Sequence, residues 1–259
     1  MKPIETVHLI LFSRAPVAGK SKTRLAAALG AETARDFHAC CLLDLIDTCE
    51  RFRKEARAAA NASSFQVRPH LFITPPGSEA AFAAQGVHWP PHFKVHAQTG
   101  ADLGERMAAA FAAVFATDSA TDSATALERG PQSACALLLG SDLPLLDGRH
   151  LRQAVQALET ADVAFGATED GGYYLVGMNQ PRVGLFRLEN WGGGEVLAQS
   201  LALARAQGLT AATIDALPDV DTAEDLAGVR AHPLFRELGD RRAVRFIAGL
   251  PHKTEAAGA

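Results

Sequence analysis

The segment Ala134–Leu139 (ACALLL) has no polar side chain at any of its positions. A strand sends successive side chains to opposite faces, so an unbroken apolar strand must be covered on both sides, as inside a parallel sheet flanked by helices. Val7–Phe12 (VHLILF) has nearly the same character. These two runs therefore predict central strands, and with them a layered α/β architecture.

The rest of the chain fits that frame. After the first strand, a loop from Ser13 to Lys22 holds Pro16 and Gly19, and residues from Thr23 to about Ala60 are rich in Ala, Leu, Arg and Glu. This composition predicts two helices broken near Gly30. Val67–Thr74 and Phe93–Ala97 read as strands, and a helix is expected from Leu103 to about Ala116. The tandem ATDSATDSAT at 116–125 is too poor in apolar side chains to offset the entropy of ordering, so 116–133 is expected to be a mobile insertion.

Beyond Ala134–Leu139 the pattern gives a helix over Gly148–Leu158 and strands over Val163–Ala167 and Tyr173–Met178, the latter two joined by Glu169-Asp170-Gly171-Gly172 with hairpin turn chemistry. A helix over Glu195–Ala206, a strand near Ala212–Ile214, two helices to about Gly249 and a frayed tail at 251–259 complete the expectation. The predicted fold is a single α/β domain over 1–250: one doubly wound, mostly parallel sheet with an antiparallel edge hairpin.

Composition excludes several classes of function. With 259 residues, 48% hydrophobic and 21% charged, the chain is neither a disordered segment nor a disulfide scaffold. A net charge of −4 argues against a nucleic-acid partner. No run approaches the roughly 20 apolar residues that span a bilayer. Cys40, Cys41, Cys49 and Cys135 form no C-x-x-C pair and read as buried thiols, so a cytoplasmic location is expected. His88, His92 and His96 are spaced like ligands on a helix, but Trp89-Pro90-Pro91 forbids a helix there, and zinc is rejected.

In open α/β sheets ligands bind outside the carboxyl ends of the strands, so the chemistry is sought in the loops that follow them. The loop after the first strand carries Arg14, Lys20, Lys22 and Arg24 around Gly19. Its Gly19-Lys20-Ser21 is not a P-loop: Arg14 stands where the first glycine belongs, and Pro16 removes a cradling N–H. Four cations beside a helix start suit a polyphosphate; a solvated basic loop is the bland alternative.

Asp142, at the mouth of the most apolar strand, is either a cap or one of the one or two protein carboxylates that Mg²⁺ takes. Asp219-Val220-Asp221-Thr222 reads as a capping sequence, with Glu224 or Asp225 completing a box, or as the source of a second metal carboxylate, Asp221 ahead of Asp219. Asp170-Gly171-Gly172-Tyr173 is an ordinary turn or a seat for an acceptor. Asp102 looks like an N-cap, and Arg106 reaches either a phosphate or a carboxylate. Gly-x-Ser-x-Gly is absent.

Five segments together resemble the nucleotide-diphospho-sugar transferases of GT-A fold, in a bacterial glycosyltransferase-like branch similar to 2-phospho-L-lactate guanylyltransferase and, more distantly, the molybdenum cofactor guanylyltransferases. They are Ser13-Arg14-Ala15-Pro16 through Lys22-Thr23-Arg24-Leu25, Asp102–Met107, Gly140-Ser141-Asp142-Leu143-Pro144, Glu169–Gly177 and Asp219–Thr222. The resemblance implies Mg²⁺ or Mn²⁺ on Asp142 and Asp221, and a nucleotide bound by Arg14, Gly19, Lys22, Arg24 and Arg106. Lys22, Arg24 and Asp142 would carry the catalysis, and the acceptor would meet Asp170, Gly171, Gly172 and Tyr173. The chain departs from the glycosyltransferase pattern in having Asp142-Leu143-Pro144 instead of Asp-x-Asp, and Gly192-Gly193-Gly194 after Trp191.

The leading expectation is nucleotidyl transfer from a nucleoside triphosphate to a phosphorylated small molecule, with release of pyrophosphate. Glycosyl transfer from a nucleotide sugar to a small-molecule acceptor is the alternative, and a non-catalytic nucleotide-binding regulatory module is the alternative of another class. A homo-oligomer is compatible with all three.

Overall fold

A computed structural model describes residues 3–58, 65–121, 133–188 and 190–251. The strands are β1 (Thr6–Arg14), β2 (Gln66–Thr74), β3 (Lys94–Ala97), β4 (Ala134–Leu139), β5 (Val163–Thr168), β6 (Tyr173–Met178) and β7 (Ala211–Leu217). The helices are α1 (Thr23–Leu29), α2 (Ala31–Ala58), α3 (Glu79–Ala83), α4 (Leu103–Thr121), α5 (Gly148–Leu158), α6 (Val196–Ala206), α7 (Asp225–Ala231), α8 (Leu234–Glu237) and α9 (Arg242–Gly249), with a 3₁₀ turn at Val183–Phe186.

One seven-stranded sheet has the order β3-β2-β1-β4-β6-β5-β7. The two apolar runs lie at its centre, β1 parallel to β4 with Leu9 opposite Leu137 and Leu11 opposite Leu139. Their side chains divide as the pleat requires. Leu9, Leu11, Leu137 and Leu139 enter a core that includes residues of α1, α2, α5 and α9, whereas Ile10, Phe12, Ala136 and Leu138 enter a second core with residues of α4, the 3₁₀ turn and α6. Each fully buried Leu contributes roughly 1.5–3 kcal/mol.

The doubly wound, mostly parallel class is as expected, but the hairpin is not at the edge. The antiparallel strand β6 lies between β4 and β5, bonded to both, and parallel β7 closes the sheet. Turn chemistry in the sequence specifies that β5 and β6 pair; it carries no information on which flank of the pair meets β4. The fully buried Leu175, Val176 and Met178 suit an interior place.

Other differences are smaller. Helix α4 continues to Thr121, so the first half of the polar repeat is helical; the buried Met107, Phe111 and Val114 anchor it, and Thr117 Oγ1 donates to Val114 O. The rest of the expected insertion, 122–132, and most of the tail, 252–259, lie outside the described residues. Among the described residues three short helices, not two, follow β7. Gly30 ends α1 at a φ of 88°, the break expected between two helices. Pro69 sits inside β2 because β3 pairs only from His70 onward, so no partner on that side needs its missing N–H. No helix among the described residues is long and apolar enough to cross a membrane. Cys41, Cys49 and Cys135 are buried free thiols, as expected, and Cys40 is half-buried.

A polar row crosses the second core. His8 Nδ1 lies 3.0 Å from His70 Nε2, and His70 Nδ1 lies 3.1 Å from His96 Nε2. Burial, with His8 and His96 as neighbours, pushes His70 down to about 3, and burial lowers His96. His96 is thus part of a hydrogen-bonded ladder. Among the described residues no group of three or more His, Cys, Asp or Glu is arranged to hold a metal ion. His92 instead pairs with Glu50 at 2.6 Å.

A histidine whose folded pKa lies below its unfolded value binds its proton more readily once unfolded, so stability falls as pH drops below the ordinary value near 6.5. For His70 the loss between pH 7.5 and pH 5 comes to about 2 kcal/mol. Urea unfolding at the two pH values should show this loss, and His70→Gln, which takes up no proton, should remove most of it. An equal loss in both proteins would assign the pH dependence elsewhere.

Candidate active site

The sheet order reverses at β1: β2 and β3 extend to one side, β4 and its neighbours to the other. That makes the carboxyl ends of β1 and β4 the switch point where a ligand crevice forms. Arg14 ends β1 there, and Gly140-Ser141-Asp142 follows β4.

The basic loop folds on itself before α1. Val17 O accepts from the backbone N–H groups of Lys20 and Ser21 and from Ser21 Oγ, and Gly19 supplies the left-handed turn at φ 73°. These N–H groups are thereby spent inside the loop, and the phosphate cradle of a P-loop is not formed. Lys22 then adopts a left-handed conformation at φ 51° and ψ 48°, which turns its side chain inward. Its side chain is 4% exposed.

Lys22 Nζ is the point on which the site converges. It donates to Asp221 Oδ1 at 2.8 Å and to Val220 O, and lies 3.0 Å from Asp142 Oδ2. An ammonium has three protons, and these three acceptors use them all. Burial alone would disfavour its charge, but Asp142 and Asp221 outweigh that and hold its pKa above the ordinary lysine value. Burial likewise acts against the charge of Asp142, yet Lys22 brings its pKa below the ordinary carboxylate value.

The capping alternative for the acidic loop is resolved by geometry. Asp225 Oδ2 accepts from the backbone N–H groups of Asp221 and Thr222, so the turn into α7 is held from behind, leaving the Asp221 side chain to Lys22 and, at 3.8 Å, Arg24. Asp219 lines the same cleft as Asp221 and Asp170. Burial, together with Asp170 and Asp221, pushes its carboxyl up to about 6. Asp102 does cap α4, accepting from Glu105 N at 2.8 Å, while Glu105 Oε2 accepts from Ala101 N.

Two clefts meet at this point. The first, about 610 Å³, is lined by the cations Arg14, Lys20, Lys22, Arg24 and Arg106 and also by Asp142 and Asp221. The second, about 620 Å³, shares Arg24, Asp142 and Asp221 and continues to Asp170, Gly172, Tyr173, Trp191 and Asp219. The structure therefore gathers Arg14, Lys22, Arg24, Arg106, Asp142 and Asp221 around one space. Gly19 and Gly171 are not among the lining residues: Gly19 shapes the loop, and Gly171, at φ 86°, lies against Gly194, whose carbonyl oxygen would be 1.9 Å from an added Cβ. Asp170 Oδ1 closes the hairpin turn, accepting from Thr168 Oγ1 at 2.5 Å and Gly172 N at 3.0 Å. Tyr173 gives its ring to the second cleft, while its hydroxyl is buried.

His38 was not among the expected residues. It lies on the buried face of α2, with Nε2 3.1 Å from Ser141 Oγ and 3.9 Å from Asp142 Oδ1. Burial lowers its pKa, so it stands as a neutral imidazole behind Asp142. A sequence signal existed: a histidine among Ala34, Phe37, Cys41 and Leu42 on an apolar helix face requires a polar partner.

A divalent cation fits this donor set. Asp142 Oδ1 is buried without a hydrogen-bond partner, and Asp221 places a second carboxylate beside it. Two carboxylates suit Mg²⁺ or Mn²⁺ when phosphate and water complete the shell.

Residues 57–193 match the family described as an uncharacterized protein conserved in bacteria (DUF2064). No curated protein matches the chain. Among solved structures, one provisionally named a nucleotide-diphospho-sugar transferase, from Desulfovibrio desulfuricans, is 24% identical with a TM-score of 0.68, over 93% of this chain and 97% of that one. The bifunctional IspDF of Campylobacter jejuni is 11% identical with a TM-score of 0.50, over 86% of this chain and 54% of that one. The fold is that of the nucleotide-diphospho-sugar transferases, as the sequence motifs implied.

Lys22→Met should cost about 2 kcal/mol of stability, between the value of under ~1 for exposed ion pairs and ~3–5 for fully buried ones, because Asp142 and Asp221 are each partly exposed. Denaturant titration at pH 7 measures it. A variant as stable as the parent would show that the two acids need no internal cation.

Proposed function

This chain belongs to the DUF2064 family of proteins conserved in bacteria, and on that premise we propose that it is a nucleotidyltransferase that takes a nucleoside triphosphate and releases pyrophosphate. One observation carries the reading: five cations, Arg14, Lys20, Lys22, Arg24 and Arg106, line a cleft that is bounded by two carboxylates at the switch point of the sheet. The likeness in fold to a nucleotide-diphospho-sugar transferase supports it.

Transfer at a phosphorus atom needs positioning and charge neutralisation more than it needs an acid or base. The acceptor oxygen attacks the α-phosphorus, the bond to the β-phosphate breaks, and pyrophosphate leaves with the electron pair. Arg14, Lys20, Arg24 and Arg106 hold the triphosphate; at ~4 Å each contact is worth on the order of 4 kcal/mol before desolvation. Arg24 spans both clefts and so meets donor and acceptor together. Lys22 holds Asp142 and Asp221 at a fixed separation, and it reaches a departing phosphate only by releasing one of its three acceptors. Asp142 and Asp221 would hold Mg²⁺ or Mn²⁺, which when bound neutralises phosphate charge.

Glycosyl transfer from a nucleotide sugar is the second reading, favoured by the carboxylates of the second cleft, which suit a hydroxyl acceptor. The products separate the two: pyrophosphate marks the first and a nucleoside diphosphate the second.

A thermal-shift panel of nucleoside triphosphates and nucleotide sugars, with and without Mg²⁺, should show stabilisation by a Mg²⁺–triphosphate pair. Asp142→Ala should abolish the Mg²⁺-dependent part of binding, and unchanged affinity would refute the metal assignment. Arg24→Ala should weaken triphosphate binding at least ten-fold more than monophosphate binding; equal losses would remove Arg24 from the phosphate tail.

A further inference from the structure

The second cleft differs in charge from the first. Asp142, Asp170, Asp219 and Asp221 face it, and Arg24 is its one cation among the described lining residues. The ammonium of Lys22 is spent on Asp142, Asp221 and Val220 O. Its inner wall is apolar and rigid: the Tyr173 and Trp191 rings meet edge-on at 6.5 Å and 83°, with Met107 and Leu138 beside them. Trp191 is pressed against Gly104, where an added Cβ would lie 2.7 Å from the indole. Gly171 and Gly194 fix the opposite rim by backbone contact, and Leu197 N donates to Gly171 O at 2.9 Å.

Lys22 offsets charge on the pair Asp142 and Asp221, and a bound divalent cation would offset more. A phosphorylated acceptor would therefore bring about two more negative charges chiefly against Asp170 and Asp219, with Arg24 as the cation of the lining, next to a triphosphate. Like charges in a half-buried cleft repel, whereas carboxylates accept hydrogen bonds from neutral hydroxyl groups. Resting on the nucleotidyl-transfer reading, we propose that the second cleft takes an uncharged alcohol with an apolar or ring-shaped body, in place of the phosphorylated acceptor that the sequence led us to expect. Its body lies on Tyr173 and Trp191, and its hydroxyl lies at the carboxylate rim beside Arg24.

The hydroxyl oxygen attacks the α-phosphorus, forming a new phosphorus–oxygen bond as the bond to the β-phosphate breaks, and pyrophosphate carries away the electron pair. The hydroxyl proton passes to Asp170 Oδ2 and on to water. Thr168 and Gly172 N hold the other oxygen of that carboxylate, which fixes its orientation.

The test compares matched pairs on the full chain with Mg²⁺ and a non-hydrolysable triphosphate analogue: cyclohexylmethanol against its phosphate ester, and glucose against glucose 1-phosphate. Trp191 fluorescence in a Trp89→Phe background reports occupancy of the cleft, since the chain has two tryptophans. The uncharged member of at least one pair should bind ten-fold or more tightly than its phosphate, and Asp170→Asn with Asp219→Asn should reduce that ratio to near unity. Tighter binding of the phosphates, no binding of any of the four compounds at tens of millimolar, or a ratio unmoved by the double variant would each overturn the proposal. Binding of the analogue alone, followed by thermal shift, tests the nucleotide reading separately.

Discussion

A buried ammonium held by two carboxylates from distant parts of the chain is the interaction on which the site depends. Lys22 comes from the loop after β1, Asp142 from the end of β4, and Asp221 from the turn into α7. Placing a single charge there would be costly, and so would leaving either acid without a counter-charge. Joined, the three fix the relative positions of the basic loop, the central strand and the C-terminal acidic loop. The left-handed backbone at Lys22 is the local cost of that closure.

This arrangement divides the switch point into two spaces of opposite character. Cations collect where the chain leaves β1, and acids and aromatic rings collect where it passes the β5–β6 turn and the Trp191 segment. Arg24, Asp142 and Asp221 belong to both. For the proposed transfer reaction, this partition would let a highly charged donor and a less charged acceptor be bound by different chemistry and still meet at one atom. His38, beneath Ser141 and Asp142, supports this boundary from the core side without adding charge to it.

Much of the fold could be read from local pattern. The apolar runs at Val7–Phe12 and Ala134–Leu139 imposed a two-faced sheet, Gly30 marked the break between α1 and α2, and Asp102 and the β5–β6 turn were legible as a cap and a hairpin. Where the reading failed, the deciding contacts were distant. The place of β6 inside the sheet depends on its pairing with β4, and the extension of α4 into a polar repeat depends on packing of Met107, Phe111 and Val114. Gly19 shapes the turn of the basic loop at a φ of 73°, and Gly171 permits the backbone of Gly194 to lie against it.

The candidate site shows the same division. Sequence by itself determined which residue types follow each strand, and so which loops could carry cations and carboxylates, because strand and helix periodicity are local properties. Only the tertiary structure decided that Asp221 is free of capping duty, that Lys22 has given all three of its protons to protein oxygens, and that the second cleft is rich in carboxylates. The three partners of Lys22 lie from 120 positions (Asp142) to 199 positions (Asp221) away from it, where no local periodicity can report which groups will share a proton or a charge.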